Sequence, residues 1–279
     1  MKLLPKKTVL NNKYIIKQNI KKTDMSNIYI ALNKKNNEKV IIKELFFKGC
    51  FRDLDGKNVI YKNKKIMKKY KKEYLKEGKI LKKIKHPNIV KHIDMFEENN
   101  TIYIVLKYYE GKTYDEYIKN KKINIKKEIN KNIFQILDAI HYLHKKQYLH
   151  RDIKPNNIII TKEKPILIDF GSSNHIKKSN KNITTLTHGF SPLEFYGKKT
   201  KHGAFSDIYS ISATLYYLKN KKIPYPVGKR VIIDEFFNKN KSKITTLDKV
   251  IFKNLSLNYK DRAKNIKHFK KELEYSLKY

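Results

Sequence analysis

The chain has 279 residues, 40% of them hydrophobic, and a formal net charge of +38. That length suits one core-bearing domain with little left over. No apolar run reaches the ~20 residues that span a bilayer, and Met1-Lys2-Leu3-Leu4-Pro5-Lys6-Lys7 is too short in apolar residues for a signal peptide, so a soluble, cytoplasmic protein is expected. Cys50 is the only cysteine, which excludes an intramolecular disulfide and a cysteine-built zinc site.

Sixty of the 64 basic residues are lysine, spread along the whole chain; the arginines are Arg52, Arg151, Arg230 and Arg262. A nucleic-acid surface calls for basic stripes interleaved with aromatics. The lysine excess, accompanied by abundant Asn, Ile and Tyr, reads instead as compositional drift, and its physical consequence is attraction of acidic partners.

In chain order, residues 1 to 12 form a polar lead-in, either unstructured or an added edge segment. Tyr14-Ile15-Ile16, Ile28-Tyr29-Ile30-Ala31 and Val40-Ile41-Ile42-Lys43 are strand-like runs separated by polar turns, Asn33 to Asn37 being the clearest. A long connection containing Phe46-Phe47, Arg52 and Asp55-Gly56 reads as a hairpin or loop packed on the helix that follows. That helix runs from about Lys65 to Lys85. Tyr70, Tyr74, Leu81 and Ile84 define one face, and Glu77 lies on it where an apolar residue would fit, while Glu73 points elsewhere. A carboxylate in a buried stripe needs a cation, and Lys43, at the end of an apolar strand, is the expected partner; breaking such a pair costs about 3–5 kcal/mol. Thr101 to Leu106 is another strand. Thr113 to Lys119 and Lys126 to Lys145 are helical, the latter burying Ile129, Ile133, Ile136, Leu137, Ile140 and Leu143. Further helices are expected from Ser206, around Thr246 to Asn254, and from Ile266 to Leu277.

Between these helices stand His150-Arg151-Asp152-Ile153-Lys154-Pro155-Asn156-Asn157 and, twelve residues after Asn157, Asp169-Phe170-Gly171. Moving a phosphoryl group from ATP to a hydroxyl needs an acceptor for the proton, cations to neutralise the phosphates, and oxygen ligands for those cations. Together with Ser191-Pro192-Leu193-Glu194, Ser206-Asp207-Ile208-Tyr209-Ser210 and Arg262, these motifs resemble the eukaryotic-like, bacterial-type serine/threonine protein kinase family over about residues 14 to 275. The long connection after Lys43 resembles an insertion in the bacterial members.

The resemblance implies an α+β, two-lobed protein-kinase fold as a single domain over 1–279: a small β-rich N-lobe with one main helix (about 13–106), a hinge (107–111) and a larger helical C-lobe (112–279). It implies ATP with Mg²⁺ or Mn²⁺ and a protein substrate bearing Ser or Thr, and it assigns roles to individual residues. Asp152 accepts the hydroxyl proton, Lys154 reaches the transferred phosphate, and Asn157 and Asp169 hold the metal. Lys43, paired with Glu77, holds the α and β phosphates, and Ile20, Ile28, Ile41, Leu106, Tyr108, Tyr109 and Ile159 line the nucleotide. Thr184 and Thr185 are the expected phosphorylation sites, with Arg151 as the charge a phosphate would satisfy. Thr187 is expected to hydrogen-bond Asp152 and Lys154, Phe170 to pack on His150, Asp207 to brace the catalytic loop, and Glu194 to pair with Arg262.

One part of the pattern is missing. The glycine-rich phosphate loop would fall where Lys21, Thr23 and Ser26 stand, and the first glycine in the chain is Gly49. Either the loop sits further from the phosphates, or Thr23, Ser26 and neighbouring lysines replace its backbone contacts, and weaker ATP binding is expected. This loss motivates an alternative, a pseudokinase acting as a nucleotide-sensing or basic binding module. A small-molecule phosphotransferase of related fold is disfavoured by Lys154, the activation segment and the Ser-Pro-Leu-Glu element, which serve a protein substrate.

Overall fold

Alternating burial along the first apolar runs builds an antiparallel sheet. The computed structural model describes residues 3–119, 123–177, 186–197, 200–232 and 244–278. Its chain divides into two compact units, Met1–Lys85 with Val90–Glu110, and His86–Ile89 with Gly111–Tyr279.

In the first unit, β1 (Val9–Leu10), β2 (Tyr14–Lys22), β3 (Ser26–Asn33), β4 (Lys39–Leu45), β7 (His92–Glu98) and β8 (Thr101–Lys107) form a six-stranded sheet in the order β1-β2-β3-β4-β8-β7. Tyr14, Ile16, Tyr29, Ala31, Val40, Ile42, Tyr103 and Val105 share a buried cluster with Leu4 and Leu10. Each fully buried aliphatic side chain here contributes roughly 1.5–3 kcal/mol. Of the two expectations for the lead-in, the edge segment is realised: Val9 pairs with Ile15, and the Leu4 N–H donates to the Tyr29 hydroxyl at 3.2 Å.

The long connection contains a hairpin, β5 (Cys50–Arg52) and β6 (Val59–Tyr61), followed by helix α1 (Lys64–Lys83), whose first turn is capped by the Asn63 side chain. Phe47 stacks on Tyr61 and meets Tyr70 of α1 edge-on at 4.5 Å, so the insertion does pack on the helix. Arg52 reaches inward to Glu44 at 2.5 Å, and both side chains are fully buried. The same carboxylate accepts from the hydroxyls of Tyr29 and Tyr103.

The second unit is mainly helical: α2 (Tyr114–Lys119), α3 (Ile125–Glu128), α4 (Phe134–Lys145), α5 (Ala204–Asn220), α6 (Val227–Ile232), α7 (Thr246–Asn254) and α8 (Ile266–Ser276). Short strands β9 (Lys112–Thr113), β11 (Ile158–Ile160) and β12 (Pro165–Leu167) form one sheet, and β10 (Tyr148–Leu149) pairs with β13 (Asn174–His175). The expected continuous helix over 126–145 is interrupted by a π-helical segment, Ile129–Ile133. Buried Glu128 is bonded by the Tyr114 hydroxyl and by the Asn132 amide, which draws this polar turn inward while Ile129, Ile133, Ile136, Leu137, Ile140 and Leu143 all stay in the core. Gly111 permits a close approach to β11, since a Cβ there would meet the Ile160 carbonyl oxygen at 2.4 Å.

Candidate active site

In the first unit, antiparallel pairing places directly opposed residues on one face. Ile28 opposes Lys43, Ile30 opposes Ile41, and Ile41 opposes Leu106, so Ile28, Ile41, Lys43 and Leu106 share the face opposite the tyrosine-lined core. Glu77 projects from α1 to this face. Lys43 Nζ donates to its Oε1 at 2.5 Å, with the two side chains 10% and 4% exposed, while Glu73, one turn earlier, is exposed. Ile20 falls at a bulge in the β2–β3 pairing and is 46% exposed. Tyr108 and Tyr109 are half-buried after β8, with Lys39 Nζ over the Tyr108 ring.

The turn between β2 and β3 departs from one of the two expectations. Thr23 Oγ1 accepts from the Ser26 N–H at 2.9 Å, and the Met25 N–H lies 3.4 Å from the same oxygen. The Ser26 hydroxyl is buried and donates to the Tyr74 hydroxyl at 3.3 Å. Both hydroxyls proposed as stand-ins for glycine N–H contacts are therefore engaged within the unit: Thr23 closes its own turn, and Ser26 tethers the strand to α1.

The second unit holds the residues expected to be catalytic. Asp152, Lys154 and Thr187 form a closed triangle: Lys154 Nζ lies 2.9 Å from Asp152 Oδ1 and 3.0 Å from Thr187 Oγ1, and Thr187 Oγ1 donates to Asp152 Oδ1 at 3.0 Å. Asn157 Nδ2 donates to the Asp152 carbonyl and to Asp152 Oδ2, each at 2.8 Å. Burial raises the Asp152 carboxyl above its ordinary value of 3.8, outweighing the pull of Lys154. Thr187 is itself held by Ser191, whose Oγ accepts the Thr187 N–H at 2.8 Å.

The loop is braced from below. Buried Asp207, near the start of α5, accepts from the N–H groups of His150 at 3.0 Å and Arg151 at 2.8 Å and contacts His144 Nε2 at 2.8 Å. Burial alone would raise the Asp207 carboxyl; the hydrogen bonds it shares with His144 and the Arg151 N–H help hold it below its ordinary value. His150 packs edge-on against Phe170 at 4.8 Å, and burial pushes its imidazole pKa down from the ordinary value. Arg151 is buried, donates Nε to the Ser172 carbonyl at 2.7 Å, and is drawn down to about 10 by burial, still cationic at neutral pH. Arg151 and Asp169 have φ of 65° and 63°, a left-handed conformation that non-glycine residues adopt at a cost of roughly 1–3 kcal/mol. Glu194 pairs with Arg262 at 2.8 Å and 3.2 Å.

The donor chemistry suits a hard divalent cation. Both Asn157 amide bonds leave through Nδ2, so its Oδ1 is the atom available to a metal, and Asp169 adds a carboxylate; Mg²⁺ is held by such a pair together with substrate phosphates. Ile159 is half-buried on β11. Thr184 and Thr185 lie outside the described residues.

The sequence reading did not assign the Glu44–Arg52 pair or the place of His144 beside Asp207. For Arg52 a signal existed: arginine is rare in this chain, and Arg52, Arg151, Arg230 and Arg262 are all buried, at 5%, 3%, 2% and 3% exposure. The guanidinium is more weakly hydrated than an ammonium and bonds several acceptors at once, which suits buried pairing.

A protein kinase domain model matches residues 14–275. The chain belongs to the protein kinase family. Among relatives of this kinase chain, a probable serine/threonine-protein kinase of Clostridium acetobutylicum is 32% identical over 235 residues, covering 81% of this chain and 33% of that protein. One from Clostridium perfringens is 29% identical over 223 residues, covering 78% and 30%. A probable serine/threonine-protein kinase of Dictyostelium discoideum is 32% identical over 164 residues, covering 58% and 32%. The kinase chain thus spans about a third of the length of the curated relatives it matches. The solved apo structure of PpkA-294 shares the fold, with a TM-score of 0.81 at 24% identity, covering 98% of this chain and 100% of that one.

Proposed function

We propose that this kinase domain is an ATP-dependent serine/threonine protein kinase that transfers the γ-phosphoryl group to protein hydroxyls, its own included. The observation that carries the reading is the Asp152–Lys154–Thr187 triangle with Asn157 bonded to the same aspartate. A carboxylate accepts the proton of the attacking hydroxyl as the new P–O bond forms and the bond to the ADP oxygen breaks. Asp152 is that acceptor, held in place by Asn157 and Thr187. Lys154 sets positive charge beside it for the transferred phosphate, and Lys43, fixed by Glu77, meets the α and β phosphates. Bound Mg²⁺ or Mn²⁺ supplies neutralisation of phosphate charge, and Asn157 Oδ1 and Asp169 are the ligands this chain offers it. Ile28, Ile41, Leu106, Tyr108, Tyr109, Ile159 and, at the strand bulge, Ile20 are assigned to the nucleotide.

The same proposal includes a single domain over 1–279 with a hinge at 107–111, activating phosphorylation at Thr184 or Thr185 answered by Arg151, acidic protein partners drawn by the charge of +38, and a cytoplasmic setting. Among the described residues no helix is long and apolar enough to cross a membrane. The pseudokinase reading draws on the self-closed turn at Thr23.

Incubating the protein and Asp152→Asn with Mg²⁺ and labelled ATP decides between them. Phosphate on Ser or Thr in the parent alone supports the enzyme, and mapping tests Thr184 and Thr185. No incorporation into the chain or an added protein substrate at saturating ATP leaves the pseudokinase.

A further inference from the structure

The insertion hairpin presents apolar side chains on both of its faces, although a two-stranded hairpin has only one inward side to bury. Cys50, Arg52 and Val59 point inward and are buried. Phe51 and Ile60, directly opposed across the strands, point outward at 41% and 40% exposure, and Leu54 at the connecting turn is wholly exposed. Ile66 in the first turns of α1 is 44% exposed. Lys48, Lys57, Lys62, Lys64 and Lys65, all exposed, flank these apolar groups along the chain and outnumber Asp53 and Asp55, which bracket Leu54. The hairpin is held firmly: Arg52 carries the fully buried ion pair to Glu44, and Phe47 and Tyr61 stack beside Tyr70 of α1.

We propose that this hairpin docks the protein on an anionic lipid surface, with Phe51, Leu54 and Ile60 entering the interfacial layer and the flanking lysines meeting the headgroups. Shape and size select this occupant. The apolar groups sit on a projecting turn and on strands of three residues each, too small a patch for the roughly 800 Å² that each partner gives a standard protein interface. Interfacial attachment needs less: a few inserted apolar side chains joined to a polybasic rim are the two signals that together hold a peripheral protein on a bilayer. Charge complementarity points the same way, because two copies of a chain at +38 repel each other while anionic headgroups attract it. This proposal stands independently of catalytic activity.

The chain has no tryptophan, so a single introduced indole reports its own surroundings. Leu54→Trp, with Tyr275→Trp at an exposed position of α8 as the control, is titrated with vesicles of phosphatidylcholine, with or without phosphatidylserine, and with brominated acyl chains as quenchers. The expected result is a blue shift and bromine quenching for Leu54→Trp on phosphatidylserine vesicles only, with Tyr275→Trp unmoved, and a loss of roughly tenfold or more in vesicle affinity on Phe51→Ser/Leu54→Ser/Ile60→Ser. Thermal melting checks that each variant is folded. Sedimentation with vesicles without a shift at Leu54→Trp means adsorption by charge alone and overturns the proposal, as does an equal response at both positions. A shift with soluble polyglutamate and none with vesicles also overturns it and assigns the hairpin to an acidic polypeptide.

Discussion

Asp152 is asked to be both buried and ionised. Its carboxylate sits at 10% side-chain exposure beside Lys154, Thr187 and Asn157, and desolvation wins over Lys154, raising its pKa from the ordinary 3.8. A proton acceptor works only when ionised, so activity is lost as pH falls through the raised value. The acidic limb of the kcat/KM profile is therefore expected above the ordinary carboxylate range, and a limb at or below 3.8 would contradict the assignment. Asp152→Asn should cut kcat by roughly 10²–10⁴-fold, as general-base removal does. Asp207 carries the opposite sign. Its lowered pKa contributes stability that is present above 3.8 and lost as pH falls through the folded value. Asp207→Asn should accordingly lower the melting temperature at pH 7 and narrow that difference on acidification, measured by thermal scans across pH.

At the scale of elements, the β2–β3 turn shows how an absent motif is replaced by a different local solution. Glycines would leave backbone N–H groups open to phosphate; here the Thr23 hydroxyl takes the Ser26 N–H. Since that hydroxyl serves its own turn, Thr23→Ala should leave the KM for ATP within about twofold of the parent or lower it, while Lys43→Met, which removes a charge from a buried pair, should raise it well beyond that. A large rise on Thr23→Ala in steady-state kinetics would mean that the hydroxyl contacts nucleotide. Helix α1 buries Tyr74, Glu77 and Leu81 of the face its periodicity predicts, with Ile84 at its C-cap, while Tyr70 is half-buried and Ile80 joins the buried side. The second-unit helix was less legible at Glu128, where side-chain partners from α2 and Asn132 reshape a turn that apolar spacing alone makes regular.

Among the described residues all four arginines are buried, whereas the lysines, the buried Lys43 of the Glu77 pair apart, are not. Arg52 stands in the first unit and Arg262 in the second, each in a buried carboxylate pair. Removing one partner strands a buried charge. Arg52→Met and Arg262→Met should each cost about 3–5 kcal/mol in urea unfolding, whereas Glu44→Leu with Arg52→Met should cost less than the two single changes added together. Additive losses at Glu44 and Arg52 would show that the pair is not coupled.

Much of this protein was determined by the sequence alone. Phosphoryl transfer tolerates few residue types, so the roles proposed for Asp152, Lys154, Asn157 and Asp169 rest on identity and spacing, and the sequence reading already paired Lys43 with Glu77, the contact the fold makes. Tertiary structure decided what depends on which distant segments meet. It set Arg52 against Glu44, His144 against Asp207, and the Thr23 and Ser26 hydroxyls into internal bonds rather than open ones. The physical reason is that a polar side chain's role follows from the partners present where it is desolvated, and those partners are chosen by packing, not by neighbours along the chain.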